Sequence, residues 1–221
     1  MEQKQHFSFS TVKDFDEHIS TSISGYDGLL KLIPSISKYF IEDNSNVYDI
    51  GCSTGKLLFD LSTLYGKDIS FVGYDIEPNL LPLSKGSVQF YQRDVTDPNI
   101  KFFNTSFILS LFTLQFIGRV KRRILVDKIF DSLSPGGAFV VAEKYYSNDG
   151  QIQEIFNFSA YDEKRKVFTD TEILDKQDTL RKIMRPLSYS QNIEELKRAG
   201  FKIVAPIWLS LNFVCYICIK E

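Results

Sequence analysis

At 221 residues, with 26 basic side chains against 28 acidic ones and a formal net charge of −2, the chain is the right size for one α/β domain with a full core and one insertion. That balance creates no global field to draw it onto nucleic acid or membrane, and no run approaches the roughly 20 apolar residues of a membrane span. Histidine occurs only at His6 and His18, so neither a histidine-built metal site nor any other metal is expected.

The N-terminal stretch Met1 to His6 is polar and has no secretory apolar core, which together with the cysteine usage makes a reducing cytoplasm the expected compartment. Segment 11–42 reads as helical and amphipathic, broken near Ser24-Gly25 and again at Pro34. Phe15, Ile19, Ile23, Leu29, Leu30, Leu32, Ile33 and Ile36 supply its apolar stripe. Tyr26 follows the glycine and is either a pocket-lining or a packing aromatic.

The chain is organised around Asn46 to Lys56. Val47 to Ile50 suits a strand buried on both faces; Gly51 and Gly55 bracket a sharp turn; Lys56 to Tyr65 reads as a helix stopped by Gly66. Such a turn leaves backbone N–H groups free beside a strand end, where ligands gather in open α/β sheets. A side chain at Gly51 is expected to fill space that a cofactor backbone must occupy. The spacing argues against a nucleoside-triphosphate loop, since only Cys52, Ser53 and Thr54 separate the glycines and Leu57 replaces the magnesium hydroxyl. It also argues against the dinucleotide fingerprint, whose third and sixth places hold Ser53 and Lys56. The remaining pattern, Asp49-Ile50-Gly51 followed by Gly55, looks like the first motif of class I S-adenosylmethionine methyltransferases. An ordinary strand-to-helix turn is the plain alternative.

Ile69 to Asp75 reads as the second strand, ending in an acid 24 residues after Gly51, the spacing of a carboxylate that accepts from ribose hydroxyls. Capping the helix that Glu77-Pro78 is expected to open is its alternative role. Val88 to Asp94 is the third strand, and Asp94 is placed to accept an adenine amine with Val95 beside it. An acidic rim of Asp49, Asp75 and Asp94 suits a nucleoside carrying a cationic sulfonium better than a phosphate. Ser106 to Phe112 is the fourth strand. From Gly118 a helix is expected to Leu133, with Ile124, Leu125, Ile129 and Phe130 inward; its bases Arg119, Lys121, Arg122 and Arg123 read as a solvated face or an RNA contact. Ala138 to Ala142 is the fifth strand, with Lys144 at its ligand-bearing rim.

Segment 148–190 is a charged, mostly helical insertion at the place where such domains cover an active site. A short helix over Asn192 to Ala199 leads to strands Phe201 to Leu209 and Leu211 to Lys220, whose connection is too short for a parallel crossover. Within the last strand Cys215 and Cys218 point to opposite faces and cannot pair. Residues 1–221 are therefore expected to form a single α/β domain.

Several stretches together resemble the carboxy-S-adenosylmethionine synthase family, which feeds tRNA wobble-uridine modification. They are Phe15-Asp16-Glu17, Ser22 to Tyr26, Tyr48 to Ser53, Phe112-Thr113-Leu114-Gln115-Phe116, Pro135-Gly136-Gly137, Glu143-Lys144 and Asn212-Phe213. The resemblance implies a Rossmann-like class I methyltransferase sheet of seven strands, mostly parallel with an antiparallel last strand, and a homodimer. Its cofactor is S-adenosyl-L-methionine or the carboxylated form, and its co-substrate is prephenate. By position, it places Tyr26, Asp49, Gly51, Cys52, Ser53, Asp75, Ile76, Asp94, Val95 and Leu111 at the cofactor. Ile76 and Leu111 stand where the family has asparagine. Gln177 stands where the family has the arginine that pairs with the extra carboxylate, leaving Lys144, Gln177 and Arg181 as carboxylate candidates. A neutral amide lacks the guanidinium fork, which tilts the expectation toward ordinary methyl transfer. Its acceptor is then a small molecule or tRNA; the alternatives are retained synthase chemistry, with Arg181 or Lys144 holding the carboxylate, and a non-catalytic nucleoside-binding module.

Overall fold

The computed structural model describes residues 14–66 and 68–221. His6 and the first residues of the helical segment expected from Thr11 lie outside the described residues. The elements are α1 (Phe15–Ser22), α2 (Tyr26–Ser37), β1 (Asn46–Ile50), α3 (Lys56–Ser62), β2 (Ser70–Asp75), β3 (Val88–Gln92), β4 (Thr105–Leu111), α4 (Arg119–Ser132) and β5 (Leu133–Tyr146). They continue with α5 (Gly150–Lys164), α6 (Asp170–Ile183), β6 (Leu187–Ser188), α7 (Tyr189–Ala199), β7 (Ile203–Ser210) and β8 (Phe213–Ile219). The main sheet runs β3-β2-β1-β4-β5-β8-β7, with the two-residue β6 paired to the far end of β5. All pairings are parallel except those of β8, which is antiparallel to both neighbours. This is the α/β architecture the sequence implies.

The central strands are buried on both faces, and their side chains alternate between two cores. Val47, Phe107, Leu109, Val140 and Cys215 join Leu29 and Ile33 of α2 and Leu58 and Leu61 of α3 on one side. Tyr48, Ile50, Ile108, Phe139, Tyr216 and Cys218 join Leu125 and Ile129 of α4 and Leu196 of α7 on the other. Cys215 and Cys218 thus face opposite cores, and both are free thiols.

Four expectations change. Pro34 lies inside α2 without ending it, because buried Leu29 and Ile33 dock the helix on the sheet and offset the lost backbone bond. Helix α3 stops at Ser62; Tyr65 beyond it turns inward, its hydroxyl 2.7 Å from Ser37 Oγ. No helix follows Glu77-Pro78: the Asp75 carboxylate accepts the Glu77 N–H at 2.9 Å, and the chain crosses to β3 through irregular structure containing Pro82. On α4 the inward set is Arg122, Leu125, Val126 and Ile129, while Ile124 is exposed. An arginine placed inward shifts the buried stripe away from the positions that apolarity alone selects.

Candidate active site

The glycine turn is built by its backbone. Gly51, at φ +78°, donates its N–H to the Tyr74 carbonyl at 2.7 Å, and Cys52 donates to the same oxygen at 3.1 Å. A Cβ at Gly51 would collide with the Thr113 side chain, so the space the sequence reserves above this glycine is taken by Thr113 from the turn after β4. Ser53, also at positive φ, donates its N–H to Asp75 Oδ2 at 2.8 Å, while its own Oγ is buried without a hydrogen-bond partner. Asp75 thereby commits one lone pair of each oxygen to backbone, on Ser53 and Glu77, and keeps others for a ligand. Asp49 is 4% exposed, and burial with the neighbouring Asp75 carboxylate pushes its pKa up to about 7. The same burial and the same two acids raise the Cys52 thiol, which removes it as a nucleophile at neutral pH.

The remaining cofactor candidates follow β2 and β3, end β4 or open α2. Arg93 N–H donates to the Asp75 carbonyl at 3.0 Å, carrying the chain from β3 alongside β2 toward Asp94. Asp94 is exposed, accepts Thr96 N–H at 2.9 Å and lies 3.9 Å from Lys121 Nζ; the Thr96 bonds lower its pKa most. Val95 is buried and Ile76 is exposed. Lys128 ties the following loop down, donating to the carbonyls of Val95, Asp97 and Ile100 at 3.0–3.1 Å. Leu111 packs on the first core just before Phe112, whose φ is +60°. The Phe112 ring lies 6.0 Å from Tyr26 and 5.6 Å from Phe213, so Tyr26 is a packing aromatic that also faces the acids. Burial, and then Asp49, raise its phenol.

Beyond Phe213 the charge changes sign. A cavity of about 270 Å³ opens beside Gly25, Ser24 and Phe213 and is bounded by Lys164 of α5. Lys144 pairs with Phe213 across β5 and β8; burial, then Lys164 and Arg181, draw its pKa down to about 8. Lys176 of α6 approaches His18 Nε2 at 2.6 Å and donates to Ser22 Oγ at 2.7 Å, and burial with Lys164 brings it down to about 7. His18 falls to about 4 through burial and the two lysines. Lys164 is lowered by burial. Burial and Lys164 thus hold down both Lys144 and Lys176; of the three lysines Lys164 lines the cavity, whose wall also carries Glu163 and Lys166.

Of the carboxylate candidates, Lys144 belongs to this group and exposed Arg181 acts on it from the rim, whereas the group meets α6 through Lys176, one residue before Gln177. Lys164 and Lys176 are new to the site, because no linear spacing joins α5, α6 and the end of β5. Arg122 leaves the basic surface altogether: it is 3% exposed and paired with Glu143 and Glu195. Arg119, Lys121 and Arg123 stay outside.

Residues 47–137 match the family described as "Methyltransferase domain". The chain is 34% identical over 219 residues to a carboxy-S-adenosyl-L-methionine synthase of Staphylococcus epidermidis, covering 96% of this chain and 95% of the relative. It is 31% identical to a synthase of the same description from a Nitratiruptor species, covering 100% of this chain and 95% of the relative. Among solved structures it is similar to YcgJ of Bacillus subtilis, with TM-score 0.61, 14% identity, 88% of this chain and 99% of the other. Human N-acetylserotonin methyltransferase in complex with SAM gives TM-score 0.56 at 16% identity over 88% of this chain and 54% of the other, which speaks to the fold alone.

Proposed function

The chain belongs to the carboxy-S-adenosyl-L-methionine synthase family of S-adenosylmethionine-dependent enzymes, and from that premise we propose that the one-carbon unit it handles is a carboxylated one. The group of Lys144, Lys164 and Lys176, with Arg181 acting on Lys144, carries this reading together with the cavity that Lys164 lines beside Phe213. Lysines held below their usual pKa by burial recover their charge when a carboxylate comes beside them, and this offsets the loss of an arginine at Gln177. They act as point charges, so selection rests on charge more than on a bidentate geometry.

The crevice residues fit the nucleoside. Ser53 Oγ is buried and unpartnered, which a ligand hydroxyl or carboxylate would satisfy. Asp75 has lone pairs left for ribose hydroxyls, and Asp94 is placed for an exocyclic amine. Val95, Ile76 and Leu111 offer apolar contact, and Asp49 with Tyr26 lies toward the methionine end. When bound, S-adenosylmethionine supplies an electrophilic carbon on a sulfonium. The protein then has to orient that carbon, keep water away and hold the second substrate's carboxylate, and positioning of this kind is where most of the rate is gained.

The reading extends to the remaining expectations. We take the chain as one functional unit, with segment 148–190 covering the site. A homodimer is supported by the exposed apolar residues Ile152, Ile155 and Phe158 of α5 and Leu174 of α6. A cytoplasmic setting is supported by three free thiols, and the link to tRNA modification is carried over from the family resemblance alone. No described helix is long and apolar enough to cross a membrane. Mass spectrometry of the small molecule that co-purifies with the protein tests the proposal. The carboxylated cofactor is expected, S-adenosylmethionine alone would return the assignment to methyl transfer, and an unrelated compound in the crevice would overturn both.

A further inference from the structure

Glu143, at the carboxyl end of β5, is 1% exposed, and its two oxygens serve different parts of the fold. Oε1 accepts the backbone N–H of Leu114 at 3.0 Å, and Oε2 accepts Arg122 Nη1 at 3.1 Å. Arg122 turns its other nitrogens to α7, donating from Nε to Glu195 at 2.6 Å and from Nη2 to Asn192 at 2.8 Å. The turn that Glu143 grips is held on other sides too. Gln115 Oε1 accepts Lys144 N–H at 2.7 Å, and the Gln115 carbonyl accepts Arg185 N–H at 2.6 Å from the strand of chain returning from α6. Inside the same turn, Thr113 is the side chain that lies over Gly51, and Phe112 before it holds a left-handed backbone that bulky residues rarely adopt.

We propose that Glu143 is a positioning residue for the one-carbon transfer: by holding the Leu114 amide it fixes Thr113 over the glycine turn and sets the floor of the nucleoside crevice. A buried ion pair is a weak device for stability, since apolar residues of similar volume hold helices together as well or better. What apolar residues cannot do is accept an amide proton from the turn. The carboxylate is therefore explained by the Leu114 bond, with Arg122 steering it from behind.

The inference rests on the crevice being the S-adenosylmethionine site, and the experiment separates the two. S-adenosylmethionine binding and thermal unfolding are measured for wild type and for two double variants that both remove the buried charges. Arg122→Met with Glu143→Gln keeps an acceptor for Leu114; Arg122→Met with Glu143→Leu removes it. With both folded at the titration temperature, the glutamine version is expected to bind within about threefold of wild type and the leucine version at least about tenfold more weakly. Equal binding by the two overturns the positioning role and leaves a structural network. Wild type that fails to bind S-adenosylmethionine overturns the crevice assignment instead. Amide hydrogen exchange on the ligand-free wild type gives the second reading without a variant. Leu114 is expected to exchange as slowly as the β4 core, and fast exchange there overturns the proposal even if a double variant does not fold.

Discussion

Replacing Asp49 by Asn should make the ligand-free protein more stable at pH 8, and by progressively less as the pH falls. Asp49 is buried at the end of β1 beside the Asp75 carboxylate, and its pKa is raised from 3.8 to about 7. A carboxyl whose folded value lies above its unfolded value contributes stability that is present in acid and lost as pH rises through the folded value. Asparagine has the shape of the protonated form and never ionises, so it escapes that loss. Between pH 5 and pH 8 the interval up to about 7 amounts to roughly two pKa units, or about 2–3 kcal/mol at 1.36 kcal/mol per unit. For a chain of this length that corresponds to a widening of the melting-temperature gap by roughly 5–10 °C. Thermal unfolding of both proteins from pH 5 to 8 measures it. Saturating S-adenosylmethionine should close the gap at pH 8, because a bound cation favours ionised Asp49. A gap that does not change with pH would mean that Asp49 keeps an ordinary pKa and the electrostatic account of the crevice is wrong.

Asp75→Ala should weaken S-adenosylmethionine by roughly 1.5–3 kcal/mol in calorimetric titration, the range for hydrogen bonds to a charged group, and wild-type affinity in a folded variant would remove Asp75 from the site. On the outer face of α4, tRNA affinity should fall with added salt, and Arg119→Ala with Arg123→Ala should lower the slope by about two, one for each phosphate left without its arginine. No tRNA binding at low salt would leave Arg119, Lys121 and Arg123 as a solvated face.

The sheet was legible because its signals are local. Alternating and fully apolar strands separated by glycine turns define β1 to β5, and the short link between β7 and β8 allows only an antiparallel pair. The cluster of Asp49, Gly51, Ser53 and Asp75 was legible for the same reason, since each lies at a strand end or in the turn beside it. Arg122 misled because a basic residue in a basic run reads as surface. Only the approach of β5 and α7 shows that Glu143, Glu195 and Asn192 meet it. The cationic group was only partly legible, for the opposite reason. Lys144 stands out at its strand end, but Lys164 and Lys176 come from two further elements whose proximity depends on tertiary folding, and each looks like an ordinary surface lysine in its own stretch. Pro34 kept its helix because burial on the sheet outweighs one missing backbone bond.

The central claim is that lysines, and not an arginine at Gln177, hold a carboxylate beside the crevice. Competitive calorimetry of S-adenosylmethionine against its carboxylated form, at pH 8 in buffers of different ionisation enthalpy, tests it most directly. Wild type is predicted to favour the carboxylated form by roughly 1.5–3 kcal/mol, the worth of hydrogen bonds to a charged group. That binding should take up protons, because Lys176 and Lys144 start with pKa values of about 7 and about 8. Lys176→Met should weaken the preference and reduce the uptake to the part due to Lys144, whereas Gln177→Arg should strengthen the preference. If wild type holds S-adenosylmethionine as tightly as the carboxylated form or more so, the carboxylate reading is contradicted and the chain handles an unmodified methyl group.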